Sequence, residues 1–389
     1  MGVPGTGDID HGPSARKPHV VVVGHSAGDQ IFGAERSLLD VLAAVDRDTY
    51  DLSCVLPRAS ADYVSAVARY TSRIRVFSYD WWSQNRPIDE AVVSRFEAVF
   101  RGERADLVHV NTITLMEPLV AARRVGVPSI LHARELVTED AALAARLGDD
   151  GAGIARTISA AADFVIANSD ATHRLYRKEG RSFRLYNGID VDRFDLPNEL
   201  RVGTLSAGII SNNEPHKGVD QFIRLAALAS RRRPELEFVV IGPRSPVVTA
   251  LDQEARRIAP SVNLSVLDYV ADPLDAIRRV NVVVSLSLVA ESFGRTIVEA
   301  MAARRPVIAY DGGALPELVR HGVDGFLIPH LDFPRALDHL GALADDPARV
   351  LEMGCHARHR AERLFSRAVF GSQLNEIYRR VIALGARRE

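Results

Sequence analysis

Short apolar runs alternate with helix-length amphipathic segments along almost the whole chain, and that alternation limits the fold more than any single motif. The run His19-Val-Val-Val-Val23 leads into a Gly-bearing loop, Gly24 to Gly33, and then into the amphipathic segment Ala34–Ala44. Strand, glycine turn and helix make the opening unit of a doubly wound α/β domain. Further strands are expected at Leu52–Leu56, Ile74–Phe77, Leu107–Val110, Ser129–His132, Phe164–Ala167 and Phe183–Tyr186. Helical segments separate most of them, so the sheet should be parallel, because only a parallel pair needs so long a crossover. The glycine spacing does not fit G-x-G-x-x-G, and no dinucleotide fingerprint is read here.

Between Tyr186 and Arg201 the rhythm breaks into turn chemistry, with Asn187-Gly188 and Leu196-Pro197-Asn198. A second series follows, with strands expected near Val202–Ser206, Glu237–Ile241, Asn263–Leu267, Val282–Leu286, Pro306–Tyr310 and Gly325–Ile328. A length of 389 residues suits two domains rather than one. The expected division is a Gly-, Pro- and Asp-rich, disordered lead-in over 1–17, a first Rossmann-like domain over 18–195 and a second over 196–369. The amphipathic stretch Phe370–Leu384, within 370–389, should pack back onto the first domain. A cleft between two such domains is the default ligand site.

Composition narrows the function classes. With 47% hydrophobic and 25% charged residues the chain has an ample core and a charged surface. A net charge of -2 argues against a nucleic-acid partner. Cys54 and Cys355 match no metal or redox spacing, so a reducing, cytoplasmic setting is expected; no metal is expected either, since no Asp-x-Asp pair sits at a strand end. No apolar run reaches transmembrane length. No Lys/Arg-rich amphipathic helix marks the first domain, which weakens a lipid acceptor while leaving peripheral membrane contact open. Monomer and homodimer both remain open.

The chemistry concentrates in Glu291-Ser-Phe-Gly-Arg-Thr-Ile-Val-Glu299, followed by Ala-Met-Ala. The apolar run from Val280 to Ala290 reads as a buried strand and its exit; after Gly294, apolar residues recur at helical spacing. A helix N-terminus behind a glycine loop offers free N–H groups and a positive dipole end to an anion. Glu291 and Glu299 flank it, and carboxylates accept hydrogen bonds from sugar and ribose hydroxyls.

Glu-x7-Glu, with Phe-Gly after the first glutamate and Ala-Met-Ala after the second, resembles the signature of the retaining glycosyltransferases of family 4. The resemblance runs from about His19 to Leu384. It includes Gly33-Ala-Glu-Arg, Val108-His-Val-Asn, Tyr186-Asn-Gly-Ile-Asp, Lys217-Gly and Gly312-Gly-Ala-Leu-Pro-Glu. It implies the GT-B fold, two facing Rossmann-like domains with parallel sheets and a cleft, and transfer from a nucleoside diphosphate sugar to an acceptor hydroxyl without cofactor or metal. By the same resemblance Glu291 contacts the transferred sugar and Glu299 the ribose. Amides around Ser292, Phe293, Gly294, Arg295 and Thr296 meet sugar and diphosphate, and Lys217 neutralises the leaving group. The family's preceding arginine is expected where Ile209 stands; Ser211, Asn212, Asn213, His216 or a folded-in Arg295 would have to substitute.

His132, at the carboxyl end of its strand, is a candidate beside the transferred sugar, or else a hydrogen-bonded core histidine. Asn111 and Arg134 are candidates for acceptor contact, as are Trp81 and Trp82 as a sugar-stacking platform unless they pack beneath their loop. Asn187 at the linker and Gly33 beside the glycine loop are candidates for the donor. Two rival readings stand beside the transferase: an epimerase acting on a nucleotide sugar alone, and a nucleotide-sugar binder without catalysis.

Overall fold

A computed structural model describes residues 16–25, 33–58, 60–201 and 203–385. Most of the Gly24–Gly33 loop, and nearly all of the lead-in, lie outside these residues. The first sheet has seven strands: β1 (His19–Val23), β2 (Asp51–Leu56), β3 (Ile74–Val76), β4 (Leu107–Val110), β5 (Ser129–Ala133), β6 (Phe164–Ala167) and β7 (Ser182–Arg184). Their order is β3-β2-β1-β4-β5-β6-β7, and the pairs are parallel.

The second sheet has six: β8 (Leu205–Ile210), β9 (Leu236–Ile241), β10 (Leu264–Leu267), β11 (Val282–Ser285), β12 (Val307–Tyr310) and β13 (Gly325–Ile328). Their order is β10-β9-β8-β11-β12-β13, again parallel. In each sheet the order reverses beside the first strand, and such switch points open a crevice at the strands' carboxyl ends.

Both faces of each sheet are buried, as parallel sheets require. Val21 and Val23 face one core of the first domain with Phe96 and Phe100, whereas Val20 and Val22 face the other. That second face is covered by the C-terminal helix, Arg367–Gly385, through Phe370, Leu374, Ile377, Tyr378 and Val381. The i, i+4, i+7 spacing sets these side chains on one stripe. Full burial of a Phe or Leu is worth about 1.5–3 kcal/mol, so this stripe holds the helix on the first domain.

The chain passes between the domains twice, and the two passages are bonded to each other. Ile189 N donates to Phe365 O at 2.8 Å, and Arg367 N donates to Ile189 O at 2.8 Å. None of the described helices is long and apolar enough to cross a membrane.

One strand departs from expectation in a way that matters for the site. β8 runs Leu205–Ile210 rather than Val202–Ser206. Ile209 is therefore a strand residue, 2% exposed, packed in the core that also holds Val240 and Val284. An arginine there would bury its guanidinium against aliphatic side chains. The position does not line the cleft, so Ile209 is no gap in the site.

Candidate functional site

At the carboxyl edge of the second sheet lies a cavity of about 320 Å³. Its floor is the ends of β8, β9 and β11, including Ile210, Ser211, Gly242 and Ser285. Lys217, Glu291, Gly294, Arg295, Thr296 and Glu299 line its walls, and Gly33 and Arg36 of the first domain close it from above. Residues up to 266 positions apart in sequence thus meet in one crevice (33 to 299).

Two glycines make the walls possible. Gly218 has φ +73°, and a Cβ on it would lie 1.9 Å from the carbonyl oxygen of Leu286. Gly313 has φ +57°, and a Cβ there would lie 2.3 Å from the carbonyl oxygen of Glu291. No other residue type tolerates both the left-handed backbone and so close an approach. Ala314 N donates to Glu291 O at 2.9 Å, and Leu288 N to His216 O at 2.7 Å, so the turns that carry Glu291 and Lys217 are strapped down.

Lys217 Nζ donates to Glu291 Oε1 at 2.8 Å, with both side chains partly exposed to the cavity. The helix Arg295–Ala302 begins directly below, and no side chain caps its first turn. Glu299 is 2% exposed; its Oε1 accepts from Arg295 Nε at 2.8 Å and lies 3.6 Å from Arg36 Nη1. Arg295 also donates to Asp40 Oδ2 of the first domain at 2.6 Å. Burial opposes the charge on Arg295, but Asp40 and Glu299 outweigh it and raise the guanidinium above its ordinary range. Arg295 is thus neither a solvated surface arginine nor an unpaired cation.

The remaining expected residues gather beside this cavity rather than on it. Arg134 is a hub. Its Nε donates to Asn111 Oδ1 at 3.0 Å, its Nη1 to Asn187 Oδ1 at 2.5 Å and its Nη2 to His132 Nδ1 at 3.3 Å. Burial lowers its pKa to about 10. His132 is wholly buried and does not line the cavity. Ser292 faces the first domain, its Oγ accepting from Asn168 Nδ2 at 3.4 Å.

The Phe293 ring is 2% exposed and packs on Tyr186 and Phe365, which leaves only its backbone for a ligand. Trp82 does not form a platform: it is 4% exposed, and its Nε1 donates to Ile113 O at 2.7 Å. Trp81 already carries the Arg146 guanidinium on its ring, 3.9 Å from the centroid.

Arg36 and Asp40 were not singled out from the sequence. The signal for Arg36 was present in Gly33-Ala-Glu-Arg36, which places a cation in the first turn of the helix Gly33–Ala44. Glu317 supplies a further link between the domains. Its carboxylate accepts from Asp170 N at 2.6 Å and Ala171 N at 2.7 Å, capping the helix Asp170–Tyr176 across the junction. Among the described residues no three His, Cys, Asp or Glu side chains converge as a metal-ligand set.

Residues 31–193 match the model for Glycosyltransferase Family 4, and residues 204–346 match the model for Glycosyl transferases group 1. The chain is 28% identical over 319 residues to D-inositol 3-phosphate glycosyltransferase 2 of Catenulispora acidiphila, covering 75% of this chain and 74% of that one. It is 31% identical over 201 residues to the MMP alpha-(1->4)-mannosyltransferase of Mycolicibacterium hassiacum, covering 50% and 47%. Anabaena HepE, solved in complex with UDP, superposes with a TM-score of 0.76 at 22% identity over 92% of this chain and 98% of that one. TarM gives 0.76 at 13% identity over 94% and 98%. Two successive family matches and the shared two-domain architecture place the chain among the family 4 glycosyltransferases, with the GT-B fold.

Proposed function

We propose that the chain transfers a sugar, with retention at the anomeric carbon and without a metal ion, from a nucleoside diphosphate sugar to an acceptor hydroxyl. The observation that carries this reading is the convergence of Lys217, Glu291, Glu299 and the uncapped Arg295–Ala302 helix on one cavity. A diphosphate needs cations and N–H donors, and a sugar or ribose needs carboxylate acceptors; the cavity offers both, a few ångströms apart. HepE, which shares this fold, is solved in complex with UDP, and that supports a nucleotide ligand here.

In this reading the diphosphate sits against the helix amides and draws Lys217 away from Glu291. Lys217 and Arg36 then meet the charge that develops on the leaving phosphate. Glu291, freed, accepts hydrogen bonds from the transferred sugar, and Glu299 accepts from the ribose. The acceptor hydroxyl approaches on the leaving-group face. Its oxygen bonds to the anomeric carbon, the carbon–phosphate oxygen bond breaks, and its proton passes to that phosphate oxygen. Preorganised charge and positioning supply most of the acceleration. A reducing cytoplasm suits the exposed, unpaired Cys355.

The test is a thermal-shift panel of nucleoside diphosphates and their sugars, followed by donor turnover with candidate acceptors. Selective stabilisation by one nucleotide, and acceptor-dependent release of its diphosphate, is the expected outcome. Change of the sugar in the absence of any acceptor would instead establish the epimerase reading.

A further inference from the structure

The segment 77–89, between β3 and the helix Glu90–Gly102, forms no stacking platform, but it does enclose a space. Trp82 ties it to the turn after β4, its N donating to Thr114 O at 3.0 Å and its Nε1 to Ile113 O at 2.7 Å. Beside this tie lies a cavity of about 380 Å³, lined by residues 78–80 and 86–89 of the segment, by Val92 and by Glu117. It shares no lining residue with the transfer cavity.

Glu117 opens the helix Glu117–Arg124. It is 4% exposed, and its Oε2 has no hydrogen-bond partner. A helix N-terminus favours a negative charge, and Met116 gives this one no side-chain cap. The dipole explains why a carboxylate is tolerated there, but it leaves the oxygen without a donor. The neighbours around the cavity do not supply one. Arg86 gives its Nη2 to Trp81 O. Asp89 Oδ1 accepts from Ala91 N at 2.9 Å and Val92 N at 3.1 Å, capping the helix Glu90–Gly102.

The lining sets what can enter. Asp80, Asp89 and Glu117 outnumber Arg86, so the cavity is acidic. An ionised carboxylate only accepts, so the ligand must donate, and a positively charged donor makes the stronger bond. A bare metal ion does not fit: among the described residues no three His, Cys, Asp or Glu side chains converge. The space also has the size of a small-molecule pocket and is many times that of one water. Tyr79, Ile88 and Val92 give it apolar walls for the carbon face of a ring, while the exposed Asp80 and Arg86 can meet hydroxyls at its mouth.

We propose that this cavity binds a primary ammonium group carried on a small hydroxylated ring, with Glu117 as the carboxylate that receives it. The occupancy of this site does not depend on the transfer reading.

Glucosamine is the probe, with glucose, N-acetylglucosamine and Mg²⁺ as controls, followed by proton–nitrogen correlation spectra of the labelled full chain. At about pH 6.5 an amine of this kind is charged. Millimolar glucosamine should shift the amide signals of residues 78–92 and of Glu117, and the two neutral sugars should bind at least about tenfold more weakly. No shift at these amides, equal binding of glucose, or a response to Mg²⁺ there would overturn the proposal. Glu117→Gln keeps the shape and removes the charge. It should weaken glucosamine at least about tenfold while leaving the thermal midpoint at or above the parent's, because a buried charge without a partner opposes folding. A lowered midpoint would make Glu117 a structural group and overturn its role as receiver. Arg86→Ala removes the one cation on the wall and should leave glucosamine binding equal or tighter; weaker binding would overturn the choice of a cationic ligand.

Discussion

Lys217 Nζ and Glu291 Oε1 stand 2.8 Å apart across the cavity, joining the turn after β8 to the loop after β11. Each charge is the other's partner in the ligand-free chain, and under the proposed function a diphosphate would take the lysine from the pair. Lys217→Ala and Glu291→Ala should each lower kcat/KM at least about 100-fold, the scale of losing one preorganised charge in a water-poor site. Thermal midpoints should stay within a few degrees of the parent, because partly exposed pairs are worth about 0–1 kcal/mol. Steady-state kinetics and thermal unfolding on the same samples check both halves.

Arg36 should matter more for the nucleotide than for the fold. Its side chain lines the cavity from the first domain and reaches Glu299 only at 3.6 Å. Arg36→Ala is expected to weaken nucleoside diphosphate binding about tenfold by titration calorimetry, as for one charge-assisted contact. Unchanged affinity would remove Arg36 from the donor site.

The Asp40–Arg295 pair links the domains, with side chains 8% and 17% exposed. Asp40→Ala leaves Arg295 with Glu299 alone and also deprives Arg367, whose Nη2 lies 3.2 Å from Asp40 Oδ1. Breaking a buried pair from one side costs about 3 kcal/mol, and urea unfolding should show a loss of that order.

Acid should destabilise the chain before its carboxylates titrate. Burial, helped by Arg134, pushes His25 down to about 4 and His109 to about 3, against an ordinary value of about 6.5 in the unfolded chain. The unfolded state therefore binds more protons between those values, and stability rises with pH through that window. Below pH 6.5 each histidine removes about 1.4 kcal/mol per pH unit. Unfolding free energies at pH 7.5 and 5.5 measure this, and His109→Gln should flatten the dependence.

Metal removal is expected to leave transfer intact. In the proposed reaction Lys217, Arg36 and the Arg295–Ala302 helix start, all on the cavity, take the place of a divalent ion at the leaving group. Turnover in excess chelator should equal turnover in added Mg²⁺; a large loss would show that these groups do not suffice.

Local pattern carried much of the fold and part of the site. β4, β6 and β13 lie where the sequence places them, because continuous apolar runs between turn residues leave little choice of register. β8 was read early because Ser206 and Gly208 dilute its apolar pattern. Gly208 is small because Val280 packs on it, a contact invisible in one dimension: a Cβ there would lie 2.4 Å from Val280 Cγ1. The Glu291–Glu299 stretch was legible because a strand, a glycine and a helix start fall within a few residues. Arg295–Asp40 and Glu317–Asp170 span 255 and 147 positions, and no local rule pairs residues at that range.

The cap that Glu317 places on the helix Asp170–Tyr176 makes domain separation visible at two peptide hydrogens. Ser169 Oγ covers Thr172 N within the first domain, but Asp170 N and Ala171 N depend on a carboxylate from the second. When the domains part, those two amides lose their acceptor while the rest of the turn keeps its own. Their solvent exchange, set against that of Thr172, is therefore an internal gauge of how often the cleft opens, and a donor that draws the halves together should slow both without slowing the third.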